Sequence, residues 1–188
     1  TSPTTIIPIN CNDPGDSVGL VVPCGKIKIV NENNEEINQG ETGELWIKGP
    51  MVIPGYWKNE KATQNSFENG YWKSGDIASQ DKNGFIRIHD RKKDMINRGG
   101  YKIFSAEIEN LIMLMDEVQE AALVPYPCPI LGERSHAFIF PSSASLEPNK
   151  IRLQLSEKVA DYKIPDKITI TNKPLPRNVN GKITKAPL

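Results

Sequence analysis

Alternating apolar and polar residues are the dominant pattern in the first ninety positions. Residues 27–30 and 44–48 alternate with a period of two, which is typical of half-buried β-strands. The Asp-Lys-Asn-Gly segment at residues 81–84 separates two further apolar stretches, residues 76–78 and 85–89, and predicts a β-hairpin. Short strands separated by such turns favour a sandwich or a barrel-like subdomain.

Helical spacing begins after Asp90, where the character of the sequence changes. Ser105 is a candidate N-cap, and Glu107 then lies in the first turn, where the helix dipole favours a negative charge. Apolar residues recur along one helix face with the spacing i, i+3, i+4 and i+7. These residues are Ile108, Leu111, Ile112 and Met115.

The remainder of the chain mixes strands with a second helix. Residues 118–125 and 137–140 are predicted strands, residues 149–161 a predicted helix, and residues 168–170 a last strand. Residues 178–185 form a polar tail that contains a glycine.

The two patterns together predict an α+β fold with two domains. Residues 1–90 are expected to form a β-rich, barrel-like subdomain, and residues 91–188 a small, separate α+β domain.

Composition excludes several classes of protein. The 188 residues contain 23 Lys and Arg and 23 Asp and Glu, so the net charge is zero. This balance argues against a basic surface for nucleic acid and against a polybasic membrane patch. No apolar run approaches the roughly 20 residues needed to span a bilayer. Three scattered cysteines and two histidines predict no metal site, and a reducing cytoplasm is the expected compartment.

Two segments are candidates for binding a nucleotide. In residues 70–76, Asp76 follows a glycine, and its carboxylate is suited to accept hydrogen bonds from vicinal hydroxyls. In residues 91–94, four charged residues lie at the change of pattern and indicate an anion contact or a hinge. The ordinary alternatives are a solvated turn for the first segment and a solvated run of charges for the second.

Two further segments contain glycine next to a charged residue. The paired glycines Gly99 and Gly100 allow a ligand or another backbone to approach closely, although a plain turn explains them equally well. Lys182 follows a glycine in the polar tail, and its ammonium suits phosphate oxygens. The alternative is an ordinary surface lysine.

In order along the chain, these segments resemble the motifs of the adenylate-forming (AMP-binding) enzymes, and most resemble the acyl-CoA synthetases. Residues 43–57 are similar to the family's GEL…GYW stretch, and residues 71–76 to its Trp-x-Ser/Thr-Gly-Asp motif. Residues 90–109 are similar to its R-x-K-D…G-G…E-I-E motif. Residues 162–165 and 174–182 complete the set.

Departures from the family pattern limit this resemblance. The family's phosphate-binding Ser/Thr/Gly-rich loop and its Tyr-Gly-x-Thr-Glu motif are absent, so the chain resembles the last third of such an enzyme. Residues 1–90 would then close the large domain, and residues 91–188 would form the C-terminal lid. Asp90, Ser74 and Phe104 are smaller departures, and none removes a side chain that the chemistry needs.

The resemblance implies a ligase that joins a carboxylic acid, fatty or other acyl, to coenzyme A through an acyl-AMP intermediate. Asp76 matches the carboxylate that holds the ribose hydroxyls of ATP, and Arg91 matches the arginine near the ribose and phosphate. Lys182 matches the catalytic lysine that bridges the α-phosphate and the acid. Lys93 matches the hinge about which the lid rotates between the two half-reactions.

Further roles also come from the resemblance. Gly99 and Gly100 would line the passage for the pantetheine thiol, and Glu107 would have a structural or lid-positioning role. Mg²⁺ would accompany the ATP phosphates, with its protein ligand outside this chain. The partner implied is the rest of the same polypeptide, and residues 1–188 alone are expected to be inactive.

Two other functions remain open at this point. The first is an adenylation domain that loads a carrier protein, and the second is a non-catalytic lid-type interaction module. Retention of Asp76, Arg91 and Lys182 argues against the second. A luciferase-like oxygenase is disfavoured because that branch carries a lysine where this chain has Asn97.

Overall fold

A computed structural model describes residues 3–11, 14–143 and 146–188. Thr1, Ser2, Asn12, Asp13, Ala144 and Ser145 fall within the predicted domain ranges but lie outside the described residues. The chain divides into two compact units, Thr1–Lys93 (the N-terminal unit) and Asp94–Leu188 (the C-terminal unit). The assignment of residues 1–90 to a large domain and of residues 91–188 to a lid stays a prediction.

The N-terminal unit is built from antiparallel strands. Its elements are β1 (Thr5–Ile6), β2 (Leu20–Val21), β3 (Lys26–Val30), β4 (Thr42–Lys48), α1 (Glu60–Ser66), β5 (Phe67–Glu68), β6 (Tyr71–Gln80) and β7 (Ile86–Arg91). Strands β1 and β2 pair with each other, and the main sheet has the order β3-β4-β6-β5, with β7 also paired to β6. This sheet curls like a half barrel.

Apolar positions that alternate in the sequence form the core of the N-terminal unit. Ile29, Leu45, Ile47, Ala78 and Ile86 form one buried cluster. Each comes from a strand in which its neighbours along the chain point to the other face, as a period of two requires. The prediction that residues 44–48 form a half-buried strand was wrong in one respect, because Glu44 and Trp46 on the other face of β4 are also buried, at 8% and 3% exposed.

The predicted hairpin at residues 81–84 is present between β6 and β7. The Asp81 carboxylate accepts hydrogen bonds from the backbone N–H groups of Asn83 and Phe85 at 2.9 and 3.0 Å. Gly84 has a φ of +88°, a conformation that glycine adopts without steric cost. The hairpin pairs β6 with β7 along their length, and Asp76 faces Arg91 in this register.

Asp76 lies inside β6, whereas the sequence indicated the start of a strand. The pairing of β4 with β6 is interrupted here, because Glu44 faces Ile77 while Trp46 faces Lys73. Two steps along β4 therefore correspond to four steps along β6, so β6 bulges around Asp76. Bulges redirect side chains and recur beside functional sites.

The C-terminal unit contains the α+β arrangement. Its elements are β8 (Ile96–Arg98), β9 (Tyr101–Ile103), α2 (Ser105–Met113), β10 (Val118–Cys128), β11 (Gly132–Pro141), α3 (Pro148–Ser156), a 3-10 turn (Asp161–Lys163) and β12 (Lys167–Ile170). The sheet order is β10-β11-β8-β9, and β12 pairs with β11 in parallel. With a β-rich unit followed by an α+β unit, the predicted fold class is confirmed.

The two helices of the C-terminal unit pack on its sheet. Ile108 and Ile112 of α2 are buried, as the helical spacing predicts, together with Ile151 and Leu155 of α3. They join one core cluster that includes Leu123 and other sheet residues.

Two local predictions in this unit were wrong. The N-cap of α2 is Phe104, and Ser105 is the first helical residue, fully buried, where its hydroxyl accepts a hydrogen bond from Lys185. Helix α3 ends at Ser156 rather than at residue 161, where the N–H groups of Glu157, Lys158 and Val159 all converge on the Leu155 carbonyl and the regular one-to-one helical bonding stops.

Candidate active site

Asp76 and Arg91 form an ion pair across the β6–β7 ladder. The Arg91 Nη1 group donates a hydrogen bond to Asp76 Oδ1, and it also reaches the Ser74 carbonyl at 3.4 Å. The Arg91 side chain is 55% exposed and the Asp76 side chain 25% exposed, so the pair lies at the surface of the sheet. The two residues that the resemblance assigned to one nucleotide are thus neighbours.

The backbone around Asp76 fixes the direction of its carboxylate. The Asp76 N–H donates to Ser74 Oγ at 3.0 Å, and Gly75 between them has a φ of +73°. A Cβ at Gly75 would meet nothing within 4 Å, so this side of the bulge is open. Within the described ranges, Asp76 Oδ2 accepts no hydrogen bond, and its lone pairs are available to neutral donors such as vicinal hydroxyls.

A cavity of about 340 Å³ adjoins this pair. Gly75, Arg91, Lys92 and Lys93 line it. The Lys92 N–H donates to the Gly75 carbonyl at 2.8 Å, and its ammonium is bound to the shielded Glu44 carboxylate at 2.9 Å. Arg91 and Lys93 therefore provide the cationic side of the cavity, while Lys92 supports its wall.

Lys93 is the last residue of the N-terminal unit. Its side chain is exposed. The position is compatible with a hinge, and the hinge role stays a prediction.

Gly99 and Gly100 form the two-residue turn between β8 and β9. Their φ angles are +61° and +91°, and Arg98 faces Tyr101 across the turn. Two consecutive positive φ angles are typical of the tight turns that match strand twist, which explains the paired glycines locally. The Gly100 N–H donates to the Asn97 side-chain carbonyl at 3.0 Å, so the turn is also held by a side chain.

The two glycines differ in the space around them. A Cβ at Gly99 would lie 3.1 Å from Leu131 Cδ2, whereas a Cβ at Gly100 would meet nothing within 4 Å. Gly100 borders a cavity of about 570 Å³ that Asn97, Leu131 and Glu133 also line. Gly100 therefore faces open space, whereas a side chain at Gly99 would press against the end of the Leu131 side chain.

Lys182 lies at the end of a tight turn in the C-terminal tail. The Asn178 side-chain carbonyl accepts hydrogen bonds from the N–H groups of Asn180 and Lys182, both at 3.0 Å. Gly181 has a φ of +77°, which the turn requires. The Lys182 side chain is exposed, and its ammonium has no hydrogen bond or ion pair among the residues that the structure describes.

Two further ion pairs, which the sequence did not predict, connect segments that lie far apart along the chain. Glu107 of α2 accepts hydrogen bonds from Lys163 on both carboxylate oxygens, at 2.7 and 2.8 Å. This pair joins two segments of the resemblance, and it fits a structural role for Glu107. Glu120 of β10 binds Arg177, five residues before Lys182, at 2.6 Å.

The sequence contained a signal for Glu120. It is a charged residue inside the apolar run of residues 118–125, and a carboxylate in a buried strand requires a partner. The pattern alone does not identify the partner, because Arg177 lies 57 residues further along the chain.

Two features are absent from the described ranges, namely a cluster of metal ligands and a membrane-spanning helix. No group of three or more His, Cys, Asp or Glu residues there is placed to hold a metal ion. None of the helices described is long and apolar enough to cross a bilayer.

The fold of the two units is that of the C-terminal region of adenylate-forming enzymes. A family model described as AMP-binding enzyme matches residues 1–57, and a model described as AMP-binding enzyme C-terminal domain matches residues 107–182. The chain belongs to the adenylate-forming, AMP-binding enzyme family, and the resemblance stated from its motifs is confirmed.

Curated relatives have several activities. A long-chain-fatty-acid–CoA ligase of Yersinia pestis is 36% identical over 172 residues, which are 92% of this chain and 30% of the relative. A 2,3-dihydroxybenzoate-AMP ligase of Bacillus subtilis is 36% identical over 168 residues, covering 88% of this chain and 31% of the relative. The chain thus spans about 30% of the length of these relatives.

A solved structure supports the same fold. The o-succinylbenzoate CoA synthetase from Bacillus subtilis, in complex with its acyl-adenylate intermediate, superposes with a TM-score of 0.84 at 31% identity. The match covers 90% of this chain and 34% of the synthetase chain.

Proposed function

We propose that the protein containing this chain is an ATP-dependent acid–thiol ligase that activates a carboxylic acid as acyl-AMP and transfers the acyl group to coenzyme A. The observation that carries the proposal is Asp76, which the bulge in β6 and the Arg91 guanidinium hold beside a cavity. The identity to a long-chain-fatty-acid–CoA ligase supports coenzyme A as the acceptor and a fatty acid as the substrate class.

The residues around Asp76 suit the nucleoside part of ATP. Asp76 Oδ2 is available to accept from the ribose hydroxyls, and Arg91 supplies positive charge near the same point. Gly75 leaves the adjoining space open. At about 340 Å³, the cavity lies at the lower end of the range for small-molecule sites.

Lys182 acts in the first half-reaction. A carboxylate oxygen of the acid forms a bond to the α-phosphorus of ATP, and pyrophosphate leaves with the electron pair of the bond that breaks. The Lys182 ammonium stabilises the negative charge that develops on the α-phosphate oxygens. A preorganised donor of this kind contributes roughly 3–4 kcal/mol to the transition state. Bound Mg²⁺ would neutralise part of the charge on the ATP phosphates.

Gly100 acts in the second half-reaction. The thiol sulfur of coenzyme A forms a bond to the acyl carbon, AMP leaves with the electron pair of the mixed anhydride, and the thiol proton is released. The open space beside Gly100 suits the narrow pantetheine arm, and Gly99 shapes the turn. Between the half-reactions, residues 91–188 would rotate as a lid about Lys93, while residues 1–90 remain part of the large domain.

A second function is favoured by a specific observation. The relative from Bacillus subtilis is named as an AMP ligase without coenzyme A, at the same 36% identity. An adenylation enzyme that loads a carrier protein therefore remains the alternative. Thioester formation with coenzyme A and with a phosphopantetheinylated carrier, compared under single-turnover conditions, separates the two. A non-catalytic module would not support ATP–pyrophosphate exchange in the full-length protein.

The experiment that tests the proposal is Lys182→Ala in the full-length protein. We expect the rate of acyl-AMP formation to fall about 100- to 1,000-fold, from the loss of one preorganised donor. Thioester formation from supplied acyl-AMP should stay near the unsubstituted rate, because the lysine has no part in attack by the thiol. Lys158→Ala is the matched control, since Lys158 is also exposed in the C-terminal unit. Equal loss in both half-reactions would contradict the assignment.

A further inference from the structure

The turn that carries Lys182 lies at the surface. Residues 178–182 are all exposed. The hydrogen bonds within the turn connect Asn178 to Asn180, Gly181 and Lys182. Such bonds fix the shape of the turn, but they do not fix its position on the rest of the C-terminal unit.

Arg177 connects this turn to the sheet. Its Nη1 group donates to the carbonyl oxygen of Gly181 at 2.6 Å, and its Nη2 group donates to Glu120 Oε1 at 2.6 Å. One planar guanidinium therefore joins the residue directly before Lys182 to a carboxylate on β10. A guanidinium holds two acceptors in a fixed mutual geometry, which an ammonium on a flexible stem does not.

Glu120 provides a rigid base for this contact. It is only 8% exposed, and its second oxygen accepts a hydrogen bond from the N–H of Leu175 at 2.7 Å. Leu175 is itself buried, so both carboxylate oxygens hold the segment that leads into the turn. The pairing of β10 with β11 shifts between Val118 and Glu120, and such an irregularity redirects a side chain.

The charge on Glu120 supports the same arrangement. The hydrogen bond from Arg177 lowers the pKa of the Glu120 carboxyl, and the Leu175 N–H adds to this effect against the opposing effect of burial. The carboxylate is therefore ionised at neutral pH, and it forms a charge-assisted hydrogen bond with the guanidinium.

The chain is also held after Lys182. The Lys185 ammonium binds Glu109 at 2.7 Å and Ser105 Oγ at 2.6 Å, both on α2. Strand-like pairing of Arg177 with Ile183 closes the base of the turn. Within the turn, Asn178 bonds the Lys182 backbone directly, while Arg177 and Lys185 connect the chain on either side of Lys182 to the rest of the C-terminal unit.

We propose that Glu120 and Arg177 are positioning residues that place Lys182 for acyl-AMP formation. This inference rests on the proposed function of Lys182. Neither residue touches the substrates in this scheme. They hold the Gly181 carbonyl, and through it the direction of the lysine side chain.

The test uses the full-length protein with Arg177→Ala, Arg177→Lys and Glu120→Gln. We expect Arg177→Ala and Glu120→Gln to slow acyl-AMP formation roughly 10- to 100-fold, as loss of an orienting partner typically does. Thioester formation from supplied acyl-AMP should remain unchanged. Arg177→Lys retains one charged contact and should recover part of the lost rate, even if the alanine variant folds poorly.

A control variant measures the effect of losing any ion pair in the C-terminal unit. Lys150 binds Glu117 in an exposed pair within the same unit. Lys150→Ala should leave both half-reactions unchanged. A loss in Lys150→Ala as large as that in Arg177→Ala would overturn the inference, because it would indicate general destabilisation.

The decisive measurement combines Arg177→Ala with Lys182→Ala. A residue that acts only through Lys182 has nothing left to position once the lysine is removed, so the double variant should be no slower than Lys182→Ala alone. The same fold-loss in both backgrounds would overturn the inference and indicate a structural role. If Lys182→Ala slows acyl-AMP formation and Arg177→Ala does not, only the positioning inference fails. If Lys182→Ala leaves acyl-AMP formation unchanged, the proposed function fails.

Discussion

Replacing Gly100 separates the strain of the backbone from the bulk of a side chain. Gly100 has a φ of +91°, so any L-residue there incurs roughly 1–2 kcal/mol of backbone strain. A Cβ at this position would meet nothing within 4 Å, so no steric clash adds to that cost. Gly100→Ala and Gly100→Leu should therefore reduce the free energy of unfolding by the same amount, about 1–2 kcal/mol.

The two variants should differ in activity. Alanine adds one methyl group at the rim of the cavity of about 570 Å³, whereas leucine extends a branched side chain into it. If the pantetheine arm passes here, Gly100→Leu should slow thioester formation from supplied acyl-AMP roughly 100-fold, as misplacement of a reacting group does. Gly100→Ala should retain most of that rate, and acyl-AMP formation should be little changed in both variants.

Urea denaturation measures the stability of the variants, and single-turnover kinetics measure each half-reaction in the full-length protein. Equal slowing of thioester formation by Ala and Leu would show that backbone geometry, and not free space, matters at Gly100. An unchanged rate of thioester formation in Gly100→Leu would show that the pantetheine arm does not pass on this side of the turn. Either result refutes the reasoning from the open cavity.

The remaining predictions concern two aspartates. Asp76→Ala should slow both half-reactions in single-turnover assays, because AMP stays bound throughout the proposed reaction; loss confined to one half-reaction would contradict the proposed role of Asp76 at the ribose. Burial acts to raise the pKa of Asp166, but hydrogen bonds from Arg98 and the Ser135 N–H and the charge of Arg134 lower it overall. Ionised Asp166 therefore stabilises the fold above its unfolded pKa of about 3.9, and this stabilisation is lost as the pH falls through the lower folded value. Asp166→Asn should reduce the free energy of unfolding at pH 7 and flatten its acid dependence in urea titrations from pH 3 to 7; an unchanged acid dependence would count against the ion pair.

Short-range features of the fold could be predicted from the sequence. The spacing of Ile108 and Ile112 identified the buried face of α2, because a helix of 3.6 residues per turn places them on one side. The turn at residues 81–84 was likewise visible, since its hydrogen bonds lie within five residues. Local chemistry determines both features.

Features set by distant partners could not be predicted. The bulge at Asp76 arises from the register between β4 and β6, and although Gly75, with a φ of +73°, is a local signal for a bulge, it does not identify the facing residues. The pairing of Glu120 with Arg177 depends on how the tail crosses β10. Serine is favoured at N-cap positions, which made Ser105 a candidate N-cap, yet its hydroxyl binds Lys185, 80 residues away. Tertiary contacts outweighed a local preference in this case.

Asp76, the proposed nucleotide-binding residue, and Lys182, the proposed catalytic residue, are held in place in different ways. The difference agrees with their proposed roles. Asp76 lies within a strand and is held by Arg91 on the adjacent strand, which suits a group that binds AMP in both half-reactions. Lys182 lies on an exposed turn whose backbone is fixed by Arg177 and Lys185, while its own ammonium has no hydrogen bond or ion pair among the residues described. Ordering a lysine side chain costs up to about 2 kcal/mol of conformational entropy. A fixed backbone limits the positions that the Lys182 ammonium can reach, while the side chain keeps its rotamer freedom. In the proposed scheme Lys182 acts in one half-reaction only, and a fixed backbone with a mobile side chain suits that role.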